Sequence, residues 1–228
     1  MPVTTCIFDA YGTLFDIAAA ARQAAEEPGQ EKLAEIWPRL AADWRSKQLE
    51  YSWLRAVGDA YVSFWQVTQD GLDWAMENAG LDDAELRERL LALYWELDAY
   101  PEVPDCLAAI AAQNQRAAVL SNGSSDMLNA AVQSAGLEDL LIASLSVEDV
   151  GIFKPARAVY DMVGARFGTD PRDVLFVSAN GWDAAGAAAY GFHTVWVNRT
   201  GAPIDRLPGR PDHEVKDLTS VAALAARV

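Results

Sequence analysis

The sequence is poor in cysteine, histidine and positive charge. It has two Cys and two His in 228 residues. Two thiols cannot staple a disulfide scaffold. Cys6 sits in an apolar run and Cys106 in an expected helix, so both are expected as buried free thiols. Lys and Arg number 18 against 33 Asp and Glu, a formal charge of −15. A surface that acidic repels phosphate backbones and anionic lipid, which argues against nucleic acid and membrane partners. No run reaches the ~18 uninterrupted apolar residues of a spanning helix. Met1 to Thr5 holds no basic segment followed by an apolar one, so no secretory signal is expected and the location is expected to be cytoplasmic. What is present is a normal apolar share, 51%, enough for a sizeable core. The length fits one large domain, or one core with an inserted subdomain.

Thr4 to Phe8 is a short β-rich run ending at Asp9, with Gly12 close behind, so it reads as a strand, a carboxylate at its tip and a turn. From Asp16 to Asp98 the pattern is helical: 17–27, 31–56, 58–78 and 83–97, broken at Pro28-Gly29, Gly58 and Gly80. Six of the eight tryptophans fall here. Beyond Pro101 and Pro104, strands alternate with helices. Strands are expected at 117–120, 141–146, 174–177 and 193–197, and helices at 105–114, 124–135, 156–167 and 182–190. That rhythm implies an α/β fold, a Rossmann-like parallel sheet (residues 1–15 and 99–228) with an inserted helical cap (16–98). Ligands of such sheets bind beyond the strands' carboxyl ends. Asp9, Ser121 and the run Ser178 to Asp183 are therefore expected to share one crevice.

The chemistry centres on Phe8-Asp9-Ala10-Tyr11-Gly12-Thr13-Leu14-Phe15-Asp16. A strand-end carboxylate before a glycine turn and a Thr suits a covalent nucleophile: the strand fixes it and the turn supplies N–H groups. The same residues also fit a plain capped turn.

The pattern resembles the haloacid dehalogenase superfamily, whose phosphatases read D-x-D-x-T here. The second Asp is Tyr11, whose phenol, with a reference pKa of about 10, cannot replace a carboxylic acid. The superfamily's later D-x-x-x-D pattern falls on Ala179-Asn180-Gly181-Trp182-Asp183, where the first acid is lost. Two missing carboxylates argue against a magnesium site and against phosphoryl transfer. The remaining segments are similar to the L-2-haloacid dehalogenase family: Trp44 to Arg55, Leu120 to Ser124, Phe153-Lys154-Pro155 with Val159-Tyr160, Leu175 to Asp183, and Val197 to Gly201. They span nearly the whole chain.

The resemblance implies cofactor-free and metal-free hydrolysis of a carbon–halogen bond in short 2-haloacids. Asp9 would attack C2 opposite the halogen, giving an ester and inversion. Water would then attack the ester carbonyl and release the 2-hydroxy acid. Thr13 matches the residue that hydrogen-bonds the nucleophile. Arg45 matches the halide-side cation, with Leu49, Ser52 and Trp53 on about the same helix face; it also fits a surface arginine. Phe64 resembles a halide-cradle aromatic and fits core packing nearly as well. Ser121 and the backbone N–H groups of Ala10 and Tyr11 match the carboxylate-binding positions, with Asn122 beside them. Lys154 would neutralise the oxyanion during ester hydrolysis. Tyr160 resembles a family tyrosine that hydrogen-bonds near Lys154, and Ser178, Asn180 and Asp183 match a polar cluster after the late strand, Asp183 either orienting Lys154 or activating water. Trp182 looks like an apolar wall.

Three positions depart from the family: Ala10 and Ala179 are smaller or less polar than expected, and His193 stands where proline is expected. His193 is a candidate water-activating base or an ordinary strand-start residue. His213 lies in a Pro/Gly-rich tail with no partner in view. A homodimer is implied, its interface on the helix near 31–56. A magnesium-dependent phosphatase using Asp9, and a non-catalytic binding protein on the same fold, remain as alternatives.

Overall fold

Strand β1 (Thr5–Phe8) is buried at all four positions, as a strand covered on both faces must be. It lies in the middle of a six-stranded sheet. The others are β2 (Arg116–Ser121), β3 (Ser144–Ser146), β4 (Val174–Ser178), β5 (His193–Val197) and β6 (His213–Val215), in the order β3-β2-β1-β4-β5-β6. All neighbours are parallel. The chain winds outward from β1 through β2 and β3, then returns to β4 on the other side of β1. The switch point therefore lies at the tip of β1, where open α/β sheets form their crevice. The computed structural model describes residues 3–228; Met1 and Pro2, the start of both the expected core segment and the N-terminal reading, lie outside the described residues.

Four helices fill residues 16–98, as expected: α1 (Ala19–Ala25), α2 (Glu31–Val57), α3 (Phe64–Asn78) and α4 (Ala84–Trp95). Helix α3 starts later than the 58 its sequence suggests, because the Ser63 side chain caps it by accepting from Gln66 N–H. Asp83 caps α4 the same way. Helix α2 runs through Pro38, which removes one backbone donor from its interior. Its buried face carries Leu33, Leu40 and Trp44, then Gln48 and Ser52. The polar pair is satisfied: Gln48 donates to Thr68 Oγ1 and Tyr94 Oη, and Ser52 donates to Gln48 O. Ser52 thus lies inside the helical layer, not on the crevice face where the helical wheel puts it.

The two connectors of this layer run side by side. Asp16 N–H donates to Asp98 O, Tyr100 N–H donates to Leu14 O, and Phe15 bridges antiparallel to Ala99. The remaining helices, α5 (Val103–Ala112), α6 (Ser125–Ser134), α7 (Arg157–Phe167), α8 (Gly181–Tyr190) and α9 (Val221–Ala225), belong to the sheet half. Two readings of this half are corrected. The strand read at 141–146 is only Ser144–Ser146, and the tail around His213 forms β6, whose backbone pairs with β5. Cys6 and Cys106 are free and buried, as read; burial pushes both thiols up to about 12. Among the described residues no helix is long and apolar enough to cross a membrane.

Candidate active site

Asp9 is the first residue beyond β1, and its N–H donates to Val177 O at 2.9 Å. The chain then turns through Gly12, whose φ of +87° suits a residue without a Cβ. The N–H groups of Thr13, Leu14 and Phe15 fold back onto Ala10 O. This turn carries Thr13 under the carboxylate.

Asp9 is almost buried, at 5% exposure. Its Oδ2 accepts from Thr13 Oγ1 at 3.0 Å and from Asn180 Nδ2 at 2.8 Å. Its Oδ1 accepts from Lys154 Nζ at 3.2 Å. Thr13 Oγ1 also accepts from Ala179 N–H at 2.8 Å, which commits its own proton to Asp9. Lys154 continues to Asp183 Oδ2 at 2.8 Å, and Asp183 Oδ1 accepts from Tyr160 Oη at 2.8 Å. The backbone N–H of Lys154 is held by Asn122 Oδ1 at 2.9 Å. Asn122 therefore positions the lysine.

Two carboxylates share one buried ammonium. Burial alone would lower the Lys154 pKa, but Asp183 and Asp9 outweigh it and hold it above its ordinary value. Burial raises Asp183 above the usual carboxylate range, against the pull of Lys154, and the charge of Asp9 adds to the rise. Burial and the neighbouring Asp183 raise Tyr160, so it stays a donor. Tyr11 is raised by burial and by Tyr94 beside it; it supplies no acid at neutral pH.

Arg45 crosses from α2 to the sheet half. Its guanidinium donates to Asn180 Oδ1 at 3.1 Å and to Tyr11 O at 3.5 Å. Asn180 thus touches both the arginine and the nucleophile. Arg45, Leu49, Asn180 and Trp182 share the lining of a cavity of about 450 Å³. Phe64 is 1% exposed and packs on Tyr11, at 5.7 Å between ring centroids, and on Phe153, at 6.3 Å. Trp182 meets Trp53 edge-on at 5.4 Å.

Ser121 Oγ, at the tip of β2, accepts from Gly123 N–H, leaving its own O–H free to donate. Ser178 Oγ, at the tip of β4, accepts from Asn180 N–H at 3.1 Å. Among the described residues, neither Ala10 N–H nor Tyr11 N–H makes a hydrogen bond, although both residues are buried. Buried N–H groups without partners are rare, and two in succession beside a carboxylate make a donor pair for an anion.

His193 is not in this group. It opens β5 opposite Leu175, whereas the crevice lies at Ser178, opposite Trp196. Three residues of strand, about 10 Å, separate His193 from the tip. The reading of His193 as a water-activating base is corrected on that ground. His193→Ala is expected to retain the full single-turnover rate of ester hydrolysis, measured by rapid quench.

Three contributors escaped the sequence reading. Tyr94 stacks on Tyr11 at 5.7 Å and donates its hydroxyl to Gln48; nothing local marks it. Arg199 donates to Gly12 O and Thr13 O, pairs with Glu102 at 2.8 Å and lies 3.6 Å over the Tyr100 ring. Gly186 stands where a Cβ would come within 2.6 Å of Tyr160 Oη and 2.9 Å of Pro155 Cβ. Its signal was present, since glycine inside an alanine-rich helix sacrifices about 1 kcal/mol of helix propensity. Gly186→Ala is expected to lower kcat by displacing Tyr160 from Asp183, and to destabilise by about 1–3 kcal/mol through overpacking. Urea unfolding checks this, and in a Tyr160→Phe background the added loss is expected to shrink.

The chain matches the family model of haloacid dehalogenase-like hydrolases over residues 3–191. It is 41% identical to the (S)-2-haloacid dehalogenase of Pseudomonas sp. strain YL, covering 95% of this chain and 92% of the relative. It is 38% identical to (S)-2-haloacid dehalogenase 1 of Pseudomonas sp. strain CBS-3, covering 100% of this chain and 98% of the relative. The solved L-2-haloacid dehalogenase of Xanthobacter autotrophicus with chloropropionic acid covalently bound superposes with a TM-score of 0.88 at 34% identity, covering 99% of each chain. With that overlap in sequence and fold, and a strand-tip aspartate held by lysine, threonine and asparagine, the chain belongs to the (S)-2-haloacid dehalogenase family of haloacid dehalogenase-like hydrolases.

Proposed function

We propose that this protein hydrolyses the carbon–halogen bond of short (S)-2-haloalkanoic acids through an ester on Asp9, without a cofactor. The observation that carries the reading is the Asp9 carboxylate, fixed by three donors and flanked by two unpaired backbone N–H groups. Ser121 and the Ala10 and Tyr11 N–H groups bind the substrate carboxylate. An Asp9 oxygen attacks C2, and the C–X electron pair leaves with the halide toward Arg45. Water then attacks the Asp9 carbonyl carbon. The charge that develops on the carbonyl oxygen is met by Lys154; one water proton passes to the departing alcohol oxygen, which leaves as the (R)-2-hydroxy acid, and the other is released to solvent, restoring Asp9 as a carboxylate.

Both Asp183 oxygens are engaged and the residue is fully buried. This favours orientation of Lys154 over direct activation of water. In this reading residues 16–98 act as a cap that brings Arg45 and the Phe64, Trp44 and Tyr94 rings over the crevice. Excluding water strengthens both cations. The homodimer belongs to the same reading, with Leu54 of α2 and Trp74 of α3 exposed on the cap surface; sedimentation decides it. So does a cytoplasmic setting, where the thiols stay reduced.

Chloride release from L-2-chloropropionate, undiminished in EDTA, with none from the D form, is the expected result. Release from the D form, or dependence on magnesium, would sink the reading.

A further inference from the structure

The turn behind the nucleophile presents the carbonyl oxygens of Tyr11, Gly12 and Thr13 in succession, and two guanidinium groups hold them. Arg45, from the cap, reaches Tyr11 O, which Asn180 Nδ2 also meets at 3.4 Å. Arg199 takes the other two: Nε donates to Gly12 O at 3.4 Å and Nη2 to Thr13 O at 3.0 Å. Among the described residues no backbone N–H donates to either oxygen. The bend itself is made by a glycine, whose backbone fixes its own shape less than that of any other residue. The shape of the turn therefore depends on what grips it from outside.

Arg199 is fixed at both ends. It follows β5 by two residues, and Asn198 pins the chain before it by bonding both the N–H and the carbonyl of Ala202 and by donating to Glu214. At its tip, Nη1 pairs with Glu102 at 2.8 Å and the guanidinium lies 3.6 Å over the Tyr100 ring. The paired side chains are 19% and 17% exposed, so the fork is held largely out of water. A planar fork with its partners in place loses little entropy when it donates. Arg45 and Arg199 line the same cavity, but their bonding differs. Arg45 donates within the protein through Nη2 alone, which leaves donors for a halide. Arg199 commits all three nitrogens to the protein.

We propose that Arg199 is a positioning residue for the reaction. It grips Gly12 O and Thr13 O, which places Thr13 Oγ1 between its donor, Ala179 N–H, and its acceptor, Asp9 Oδ2. Through that hydroxyl it aims the Asp9 carboxylate at C2. The proposal rests on the reading of Asp9 as the nucleophile. A displacement of about 1 Å in a reacting group costs on the order of 10² in rate.

The test compares Arg199→Ala and Arg199→Lys with the unmodified chain on L-2-chloropropionate. The lysine keeps the charge beside Glu102 but has no fork to span two carbonyls. Expected is a kcat lower by about 10²-fold in the alanine variant and about tenfold in the lysine variant, with KM within about threefold. KM should hold because Ser121 and Ala10 stand at strand tips and Tyr11 keeps its own anchors. A raised KM with kcat intact makes Arg199 a substrate contact and overturns the proposal. So does a lowered stability in urea with kcat intact, or a lysine variant as fast as the unmodified chain. In a Thr13→Val background the Arg199→Lys loss is expected to shrink to about twofold or less; the same tenfold loss there would mean that Arg199 does not act through Thr13. Hydrogen exchange of the Ala179 amide, read by NMR, needs no turnover. It is expected to be about tenfold faster in Arg199→Lys, as Thr13 Oγ1 leaves its place, and an unchanged rate overturns the proposal. If the unmodified chain releases no halide from any 2-haloacid, the Asp9 reading falls, while the Ala179 exchange still decides whether Arg199 holds the turn. If the alanine variant does not fold, the lysine variant carries every comparison.

Discussion

Asp9→Asn is expected to abolish chloride release from L-2-chloropropionate, by a factor on the order of 10⁵–10⁶, the scale of loss when a covalent nucleophile is removed. The size follows from the arrangement. Every group around Asp9 acts on its carboxylate: Thr13 and Asn180 on one oxygen, Lys154 on the other. None of them can take over the attack. Hydroxyl and amide are too weakly nucleophilic, and Lys154, held protonated between two carboxylates, has no lone pair to offer. The amide of the variant matches the carboxylate in shape, so the fold should persist. Circular dichroism and urea unfolding separate the chemical loss from a structural one. In the unmodified protein, quenched single turnovers are expected to show Asp9 heavier by the mass of the substrate's carboxyalkyl group, less the proton it replaces. Full turnover with Asp9 unlabelled would leave the ester route without support.

Lys154→Met is the second large effect, and it strikes stability as well as rate. The methionine fills nearly the same volume but leaves Asp9 and Asp183 facing each other, both buried, without a cation. Breaking a buried pair by removing one partner costs about 3–5 kcal/mol. The rate of ester hydrolysis should fall about 10²–10³-fold, the loss expected when one group facing a developing oxyanion is removed. Lys154→Met/Asp183→Asn separates the two. Removing the second carboxylate is expected to return most of the unfolding free energy in urea and none of the activity.

The pH dependence carries a definite sign. Lys154 is raised in the fold, so its contribution to stability is complete below 10.5 and is lost as pH climbs through the folded value. Asp183 is also raised. Its ionised form therefore burdens the fold at neutral pH, which offsets part of the cost that Asp183→Asn incurs by taking a partner from the buried Lys154. That same variant removes the carboxylate that supports Lys154 most. Burial then wins, the lysine pKa falls, and the alkaline limb of kcat is expected to move to lower pH. An unmoved limb would mean that another group sets it.

The sequence exposed the parts of this site that are local. Asp9, Gly12 and Thr13 form one turn, and a strand that ends on a carboxylate is readable without knowing its neighbours. The expected sheet follows from strands alternating with helices, and it places Ser121 and Ser178 on the crevice side. Relations between distant segments were not readable. His193 looked chemically apt, but its distance from Asp9 depends on which end of β5 faces the crevice. Strand β6 is three residues long in a Pro/Gly-rich tail, and it exists because β5 pairs with it. The Arg45 helix face was half right: Arg45 and Leu49 reach the crevice, whereas Ser52 turns inward to Gln48. Tyr94 carries no local mark at all. Its role comes from stacking on Tyr11 across 83 residues of chain.

The adjacent connectors at Phe15 and Ala99 have a consequence for how such a protein can diversify. A segment that leaves and re-enters through neighbouring, hydrogen-bonded positions can be exchanged as a cassette, because the sheet sees only two fixed attachment points. On the proposed mechanism the inserted segment carries Arg45, toward which the halide would depart, while Asp9, Lys154 and Asp183, which would resolve the ester, stay in the host. That mechanism would write leaving-group preference and hydrolytic machinery on separable pieces of the chain.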